Sequence, residues 1–318
     1  MSRSIGGVYR DGKVELTKVP LDVPEGTRVL VTFPETSPGT NLEPKRIDSW
    51  DDINKLAREH AQDRGQRAWI YRGQRSNDPN LKTSLERCYE RQGVLGANRR
   101  RLESELLREF KRAYHQYAHH LPTPDSVVEW LSVMQHHGAP TRLLDFTYSI
   151  YVAVYFALER LKKEDKECAL WVVDGKWVLN ESVEALVRNG KPEAKRLLEL
   201  MQESTEKICS EVLFDSPDVK SAIPLNPFRL NERLRIQKGV FLVPTDIGTS
   251  FMDNLRALPG YGQDDHVVQY ILPASVREEA IEALYYMNIS RTSLFPGLDG
   301  YAQSLGVYHS SFNPVSWS

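Results

Sequence analysis

The chain has 318 residues, 41% of them hydrophobic, and is therefore long enough for one large domain or two smaller ones. Its formal net charge is −2, and positive and negative residues are interspersed. This balance excludes a global electrostatic attraction to nucleic acid or acidic membranes, although a local basic patch is compatible with it. Its scattered cysteines form no Cys-x-x-Cys pair, and no run approaches the ~20 apolar residues of a membrane span, so we expect a soluble cytoplasmic protein without disulfides or structural zinc.

Residues 1–35 are predicted to form a small β module. Two short strands, over residues 8–10 and 14–16, flank Asp11-Gly12, a dipeptide that favours a two-residue hairpin turn. A third strand is predicted over residues 27–33. Because three short strands cannot bury a core of their own, the module either docks on the main domain or pairs with a second copy of the chain.

Two stretches of this module carry a resemblance. Residues 12–16 read Gly-Lys-Val-Glu-Leu, and residues 19–33 read Val-Pro-Leu-Asp-Val-Pro-Glu-Gly-Thr-Arg-Val-Leu-Val-Thr-Phe. They resemble the small antitoxin-like β modules related to the swapped hairpins of AbrB, which dimerise by exchanging strands and in some cases bind DNA. The resemblance implies self-association through residues 1–35. A linker is predicted over residues 36–48 from its Pro and Gly content.

Residues 49–318 are predicted to form the main domain, which begins with a helix. Ser49 and Asp52 are spaced as a capping box ahead of apolar side chains that recur on one helical face. A strand over residues 68–71 then runs into Arg72-Gly73-Gln74. An irregular connection over residues 81–85 precedes a long amphipathic helix. The apolar stripe of that helix is Leu102, Leu106, Phe110, Ala113, Tyr114 and Tyr117.

Residues 135–147 are the most densely polar stretch and read Gln-His-His-Gly-Ala-Pro-Thr-Arg-Leu-Leu-Asp-Phe-Thr. Burying such groups without partners costs about 1–3 kcal/mol each, so we expect the stretch to line a pocket. The alternative is a structural corner in which Arg142 pairs with Asp145, Thr147 caps the next helix and the histidines are solvated. His137 is the stronger candidate for a general base and His136 the weaker.

The rest of the chain mixes strands and helices without strict alternation, which predicts an α+β fold. The predicted elements are strands over residues 169–174, 239–243 and 267–272 and helices over residues 192–212 and 276–287. Ser275 and Glu278 are spaced as a capping box for the last helix. No metal site is predicted, since the closely spaced histidines have neither a His-Glu-x-x-His motif nor a companion cysteine.

Ordered motifs along the main domain carry a second resemblance. They are Tyr71-Arg72-Gly73-Gln74, the stretch at residues 135–147, Ala153-Val-Tyr-Phe-Ala157, Arg235-Ile-Gln-Lys-Gly-Val-Phe241 and Leu294-Phe-Pro-Gly-Leu-Asp-Gly300. Together they resemble the FRG domain, a family that occurs in bacteria and phage and in the company of defence genes. The resemblance spans roughly residues 50–305.

The same motifs are distantly similar to ADP-ribosyltransferases of the Arg-Ser-Glu type, which implies a mixed-sheet α+β domain with flanking helices and NAD as cofactor. In that family a strand ends in Arg-Gly and its arginine grips the phosphates of NAD, a role that the resemblance gives to Arg72. A guanidinium suits this role because its planar fork makes bidentate bonds to phosphate. Thr147 or Ser149 would hold the nicotinamide ribose, and Gln237 would lie at the reacting centre.

The last element of that family, a strand carrying Glu-x-Glu, has no counterpart in this chain. Gln237 and Gly239 stand where carboxylates are expected, and Asp145, Glu232 or Asp299 would have to supply one from elsewhere. The predicted catalytic residues are therefore Arg72, Thr147, Gln237 and His137. The predicted ligand-binding residues are Tyr71, Gly73, Gln74, Gln135, Arg142, Asp145 and Ser149.

Two functions from different classes remain open. The first is an NAD-dependent ADP-ribosyltransferase or NAD glycohydrolase that acts as a toxin or defence effector. The second is a non-catalytic module that senses a nucleotide or binds nucleic acid or a partner protein, and the missing carboxylates favour it. An enzyme should consume NAD, whereas a sensor should bind a nucleotide and leave it intact.

Overall fold

The computed structural model describes residues 7–10, 13–16, 24, 42–63, 65–117, 126–161, 166–198, 219–227 and 232–305. The chain divides into two compact units, residues 1–38 and 39–318. In the first unit, β1 (Gly7–Arg10) and β2 (Lys13–Leu16) form an antiparallel pair, as the hairpin signal predicts. The predicted strand over residues 27–33 lies outside the described residues, and self-association through this unit stays a prediction.

The second unit is built on a mixed sheet of seven described strands. Its strands are β3 (Lys45–Arg46), β4 (Trp69–Gln74), β5 (Leu144–Thr147), β6 (Glu167–Asp174), β7 (Ala222–Leu225), β8 (Gly239–Pro244) and β9 (Val267–Pro273). They lie in the order β3-β9-β6-β4-β5-β8-β7, and each neighbouring pair is antiparallel except β3 with β9. With helices packed around this sheet, the predicted α+β class is confirmed.

Helices connect and cover the strands. The described α-helices are α1 (Trp50–Gln62), α2 (Ser84–Gln92), α3 (Gly96–Tyr114), α4 (Val127–His136), α5 (Ile150–Leu158), α6 (Gly175–Arg188), α7 (Glu232–Ile236), α8 (Phe251–Arg256), α9 (Arg277–Tyr286), α10 (Arg291–Leu294) and α11 (Leu298–Ser304). Within the described ranges, none of them has the length and apolar character needed to cross a membrane.

The central strand β6 is buried on both faces, which explains its nearly continuous apolar run. Leu170 and Val172 pack with α1, α5 and α9 on one face, while Trp171 and Val173 pack with α6 and α8 on the other. Helix α5 is apolar on all sides because it lies deep in the first of these layers. These two packed layers hold β4 and α5 rigidly in place.

The structure departs from the predicted elements near the start of the main domain. The predicted linker over residues 36–48 includes β3, which pairs in parallel with the edge strand β9. Helix α2 begins at Ser84, where an irregular connection was expected, because the Thr83 hydroxyl accepts a hydrogen bond from the Glu86 backbone N–H. By contrast, Ser49 caps α1 through the Asp52 N–H as predicted.

Further departures lie in the second half of the domain. The predicted capping box at Ser275 is wrong, because Ser275 lies in a 3₁₀ turn that leads into α9 without a side-chain cap. The predicted helix over residues 192–212 starts as a short 3₁₀ helix, Pro192–Leu197, and residues 199–212 lie outside the described part of the chain. Tyr117, placed on the stripe of α3, lies beyond its end and is exposed.

Candidate functional site

A cleft opens where β4 and β5 separate in the middle of the sheet. The two strands share one register pair, Tyr71 with Thr147, whereas β4 pairs with β6 and β5 pairs with β8 along their whole lengths. The cleft beyond this pair has a volume of about 200 Å³. Its walls come from β4, β5, α5, the segment from α7 to the start of β8, and Phe295.

Arg72 lies on the β4 side of the cleft and is half-buried. Its Nη1 donates a hydrogen bond to the backbone carbonyl of Asp145 at 2.6 Å and so bridges the gap between the two strands. Its Nε is buried without a hydrogen-bond partner, and Arg72 has no ion pair within the described ranges. Burial lowers the pKa of the Arg72 guanidinium, and the Asp145 carboxylate opposes this effect. Arg72 therefore has hydrogen-bond donors without acceptors at a position in the cleft wall that is partly shielded from solvent.

Arg233 of α7 supplies a second guanidinium to the same cleft. Its guanidinium carbon lies 4.5 Å from the centre of the Phe295 ring, and that of Arg291 lies 4.4 Å from the same ring. Burial lowers the pKa of Arg233, and the Asp145 carboxylate again acts in the opposite direction. Arg291 is buried and paired with Glu159, but Arg233 has no carboxylate partner in the part of the chain that the structure describes.

Asp145 is the one carboxylate among the described residues that line the cleft. Its side chain is exposed, and its charge acts on both Arg72 and Arg233. Two guanidinium groups against one carboxylate leave the cleft with a net positive charge. Glu232 and Asp299, the other acids considered as replacements for the missing glutamates, are exposed and lie outside the lining.

A smaller cavity of about 70 Å³, which we call the side cavity, adjoins the cleft. The wall that the two spaces share consists of Asp145, Arg233, Leu234 and Gln237. Ser132, Gln135 and His136 of α4 form the opposite side of the side cavity. The charged groups Asp145 and Arg233 therefore line both the cleft and the side cavity.

The two predicted ribose-binding hydroxyls are both engaged in structural hydrogen bonds. The Thr147 hydroxyl donates to the Gln237 backbone carbonyl at 2.6 Å and accepts from the Ser149 backbone N–H at 3.0 Å. The Ser149 hydroxyl accepts from the Val152 N–H as the N-cap of α5, so Ser149 rather than Thr147 caps this helix. Thr147 lines the cleft, whereas Ser149 does not.

Gln237 lines both the cleft and the side cavity, but its side chain is also held in place. Its Nε2 donates to the Leu294 backbone carbonyl at 3.0 Å, which leaves the amide oxygen and the second N–H of Nε2 for other partners. A Cβ at Gly239 would lie 2.2 Å from Cδ1 of Leu234. A glutamate at this position would therefore require the Leu234 side chain of α7 to move.

Arg142 does not reach the cleft. It is buried and paired with Glu103 of α3, with both side chains no more than 3% exposed, and its Nε donates to Oε1 of Glu103 at 2.7 Å. The proposed pairing of Arg142 with Asp145 is therefore wrong, because Glu103 takes that place. Gln135 accepts a hydrogen bond from the Thr141 hydroxyl and lines the side cavity rather than the cleft.

Gly73 lies in the cleft wall, but its missing side chain serves the packing of α5. A Cβ at this position would lie 1.9 Å from the backbone oxygen of Ala153 and 2.5 Å from the backbone nitrogen of Ala157. Both atoms belong to a helix that is itself buried and cannot yield easily. The glycine of the Arg-Gly motif thus allows close contact between strand and helix.

Tyr71 and Gln74, the neighbours of Arg72-Gly73, have other partners. The Tyr71 hydroxyl is hydrogen-bonded to Nδ1 of His60 at 2.9 Å, and burial raises the pKa of the phenol. Gln74 donates from Nε2 to the Asp78 backbone carbonyl at 3.1 Å and lies outside the lining. Tyr71 contributes to the wall of the cleft, and Gln74 orders the loop that follows β4.

The two adjacent histidines lie in different positions relative to the two spaces. His136, in the last turn of α4, lines the side cavity, and its ring meets that of His137 edge-on with 4.9 Å between centroids. His137 follows the helix as its C-terminal cap, is exposed and lines neither space. Periodicity could not separate them, because which imidazole faces Asp145 depends on where α4 ends.

Arg233 and Phe295 are the site residues that sequence reasoning missed. Arg233 precedes the motif that starts at Arg235, and Phe295 belongs to the motif that ends at Gly300. The glycine at the end of that motif, Gly300, is linked to Phe295. A Cβ at Gly300 would lie 1.8 Å from the Phe295 backbone oxygen, so this contact requires glycine. No spacing along the chain, however, connects these residues with Arg72.

Comparison with known proteins matches part of this site to a family model. Residues 67–166 match the family model described as the FRG domain, a range that holds Arg72, His136 and Asp145 but not Arg233. No curated protein and no solved structure matches the chain. Residues 67–166 of the chain therefore match the FRG domain, and this range supplies β4, β5 and α5 to the walls of the cleft.

Proposed function

We propose that the cleft of the FRG domain binds NAD through its phosphates. The observation that carries this proposal is the pair of half-buried arginines, Arg72 and Arg233, that line one cleft without an ion-pair partner among the described residues. Burial disfavours their charged state, and no carboxylate among the described residues forms an ion pair with either side chain to offset this cost. A phosphate supplies the bidentate acceptors that both guanidinium groups lack.

The dimensions of the cleft fit part of a dinucleotide. Sites for small organic molecules commonly have volumes of about 300–1,000 Å³, and the cleft measures about 200 Å³. We therefore assign it to the phosphates and one ribose, with the adenine on the open rim. The rings of Phe156 and Phe295 in the lining offer apolar surface to the sugar or to nicotinamide.

The proposed activity is that of an NAD-dependent ADP-ribosyltransferase or NAD glycohydrolase. Both reactions break the bond between ribose and nicotinamide through an oxocarbenium-like state, which a nearby carboxylate stabilises. Asp145 takes this role in the proposal, because Gln237 and Gly239 cannot provide a negative charge. An enzyme that consumes NAD in the cytoplasm suits a toxin or a phage-defence effector.

A second candidate is a non-catalytic module that senses a nucleotide. It is favoured by the hydrogen bonds that tie Thr147 to the Gln237 carbonyl and the Gln237 amide to Leu294. These contacts hold both residues in structural roles and leave Asp145 as the remaining candidate for chemistry. Release of nicotinamide from NAD, followed by chromatography with and without cell lysate as a source of acceptors, separates the two candidates.

The arginine pair gives the first testable prediction. Arg72→Ala and Arg233→Ala should each weaken NAD binding by about 10- to 100-fold, since each removes hydrogen bonds to a charged group worth about 1.5–3 kcal/mol. Isothermal titration calorimetry with NAD, ADP-ribose and nicotinamide measures this directly. ADP-ribose should bind about as well as NAD, because it carries the same phosphates.

Arg101→Ala is the matched control for loss of one positive charge. Arg101 lies on the surface of α3 and pairs with Glu105, so its removal should leave NAD affinity unchanged. Circular dichroism of all variants verifies that they are folded. An unchanged dissociation constant in both cleft variants would remove the arginines from the site, and binding of nicotinamide without ADP-ribose would contradict recognition through phosphate.

A further inference from the structure

We infer that the side cavity is the acceptor site of this enzyme, where His136 takes the proton from a water or alcohol O–H group that attacks the ribose. The inference rests on the proposed function, because it requires NAD in the adjoining cleft. It goes further by naming the class of acceptor and the residue that activates it.

The cleft and the side cavity share part of their lining. Asp145, Gln237 and Arg233 line both spaces, so a group bound at this wall is accessible from the cleft and from the side cavity. A ribose held against Asp145 would present one face to the NAD-binding side and the other to α4. An attacking group must approach opposite the leaving nicotinamide, and in this proposal it does so from the side cavity.

The volume of the side cavity sets the size of the acceptor. One ordered water needs about 10–15 Å³ of accessible volume, and the side cavity measures about 70 Å³. It therefore has room for a few waters or a small alcohol. Its polar lining from Ser132 and Gln135 provides hydrogen-bonding groups that can orient such a molecule.

His136 is the basic side chain that faces this cavity from α4. Burial lowers the pKa of its imidazole, and the positive charges of His137 and Arg233 lower it further. Asp145 faces the same cavity from β5. A lowered pKa favours the neutral imidazole, which can accept a proton. Because its ring remains exposed to solvent, it can then pass that proton to bulk water.

The reaction at this site is balanced without a further reactant. The acceptor oxygen forms a bond to C1′ of the ribose while the C1′–N bond breaks, and the electron pair of that bond leaves with nicotinamide. The O–H proton passes to an imidazole nitrogen of His136. Asp145 stabilises the positive charge that develops on the ribose. Water as acceptor yields ADP-ribose, nicotinamide and one proton.

The test compares His136→Asn with wild-type protein in the presence of NAD. We expect nicotinamide release to fall by about 100-fold or more, in the range of general-base contributions, with NAD affinity unchanged by calorimetry. Wild-type activity should decline as the pH drops below the ordinary range of histidine, and this decline should be absent from the residual activity of the variant. Methanol in the assay should give methyl ADP-ribose with wild type.

His115→Asn serves as the control, since His115 is exposed at the end of α3, away from both spaces. Full activity in His136→Asn, or its loss only in His137→Asn, would overturn the inference. Wild-type protein that binds NAD but releases no nicotinamide would overturn it as well, while leaving NAD binding by the cleft intact. Wild-type protein that does not bind NAD would refute the proposed function, and the acceptor site with it.

Discussion

Gly73→Ala is expected to destabilise the FRG domain by about 3 kcal/mol or more, at the upper end of overpacking costs. The added Cβ would lie 1.9 Å from the Ala153 oxygen, and neither the buried helix α5 nor the central strand β4 has room to move. Since domains of this size have total stabilities of about 5–15 kcal/mol, the loss is a large fraction. Urea unfolding followed by tryptophan fluorescence measures it.

Gly190→Ala is the matched control for this experiment. Gly190 has a φ of +81° and open space around its Cα, so its replacement meets no atom and carries only the cost of a left-handed backbone, about 1 kcal/mol. If Gly73→Ala were as stable as Gly190→Ala and lost NAD affinity instead, the small residue would serve ligand approach rather than helix packing.

Glu103→Ala should lower the free energy of unfolding by a similar amount, through a different mechanism. The change removes the carboxylate that is buried against Arg142, and breaking a buried ion pair from one side costs about 3–5 kcal/mol. The midpoint of urea unfolding should fall accordingly. NAD affinity, measured where the variant is folded, should not change, because Arg142 lies outside the cleft.

Two further variants make this result specific. Glu105→Ala, on the same helix, breaks an exposed pair with Arg101 and should cost less than about 0.5 kcal/mol. The double variant Glu103→Met/Arg142→Met replaces both charges with apolar groups and should be more stable than Glu103→Ala alone. If Glu103→Ala lowered the free energy of unfolding by less than about 1 kcal/mol, the ion pair would contribute little to stability, which would contradict the expectation from its burial.

Local patterns were sufficient to predict several elements of the fold. The turn signal at Asp11-Gly12 placed the pair of β1 and β2, and the cap at Ser49 placed the start of α1. The α+β class followed from the mixture of elements. By contrast, β3 is a two-residue strand within a linker-like composition, and its pairing with β9 depends on a partner far along the chain.

For the site, the sequence identified the segments but not the partners within them. The sequence predicts Arg72, Asp145 and Arg142 as site residues. Arg72 and Asp145 lie together, whereas Arg142 is buried against Glu103. The local sequence around residues 135–147 does not distinguish these outcomes, because a buried ion pair and a ligand site require the same residue types. Only the packing of α3 decides between them.

The single register pair between β4 and β5 has a consequence for recognition. Beyond Tyr71 and Thr147, both strands present an edge to each other, and ladder hydrogen bonds stop. Exposed edges of this kind usually invite pairing with another molecule, and this one lies in the lining of a cleft of about 200 Å³, a space that suits a small molecule. A small ligand there meets main-chain donors and acceptors as well as side chains. We therefore expect part of the ligand selectivity of this cleft to come from the peptide backbone, which does not change when a lining side chain is substituted.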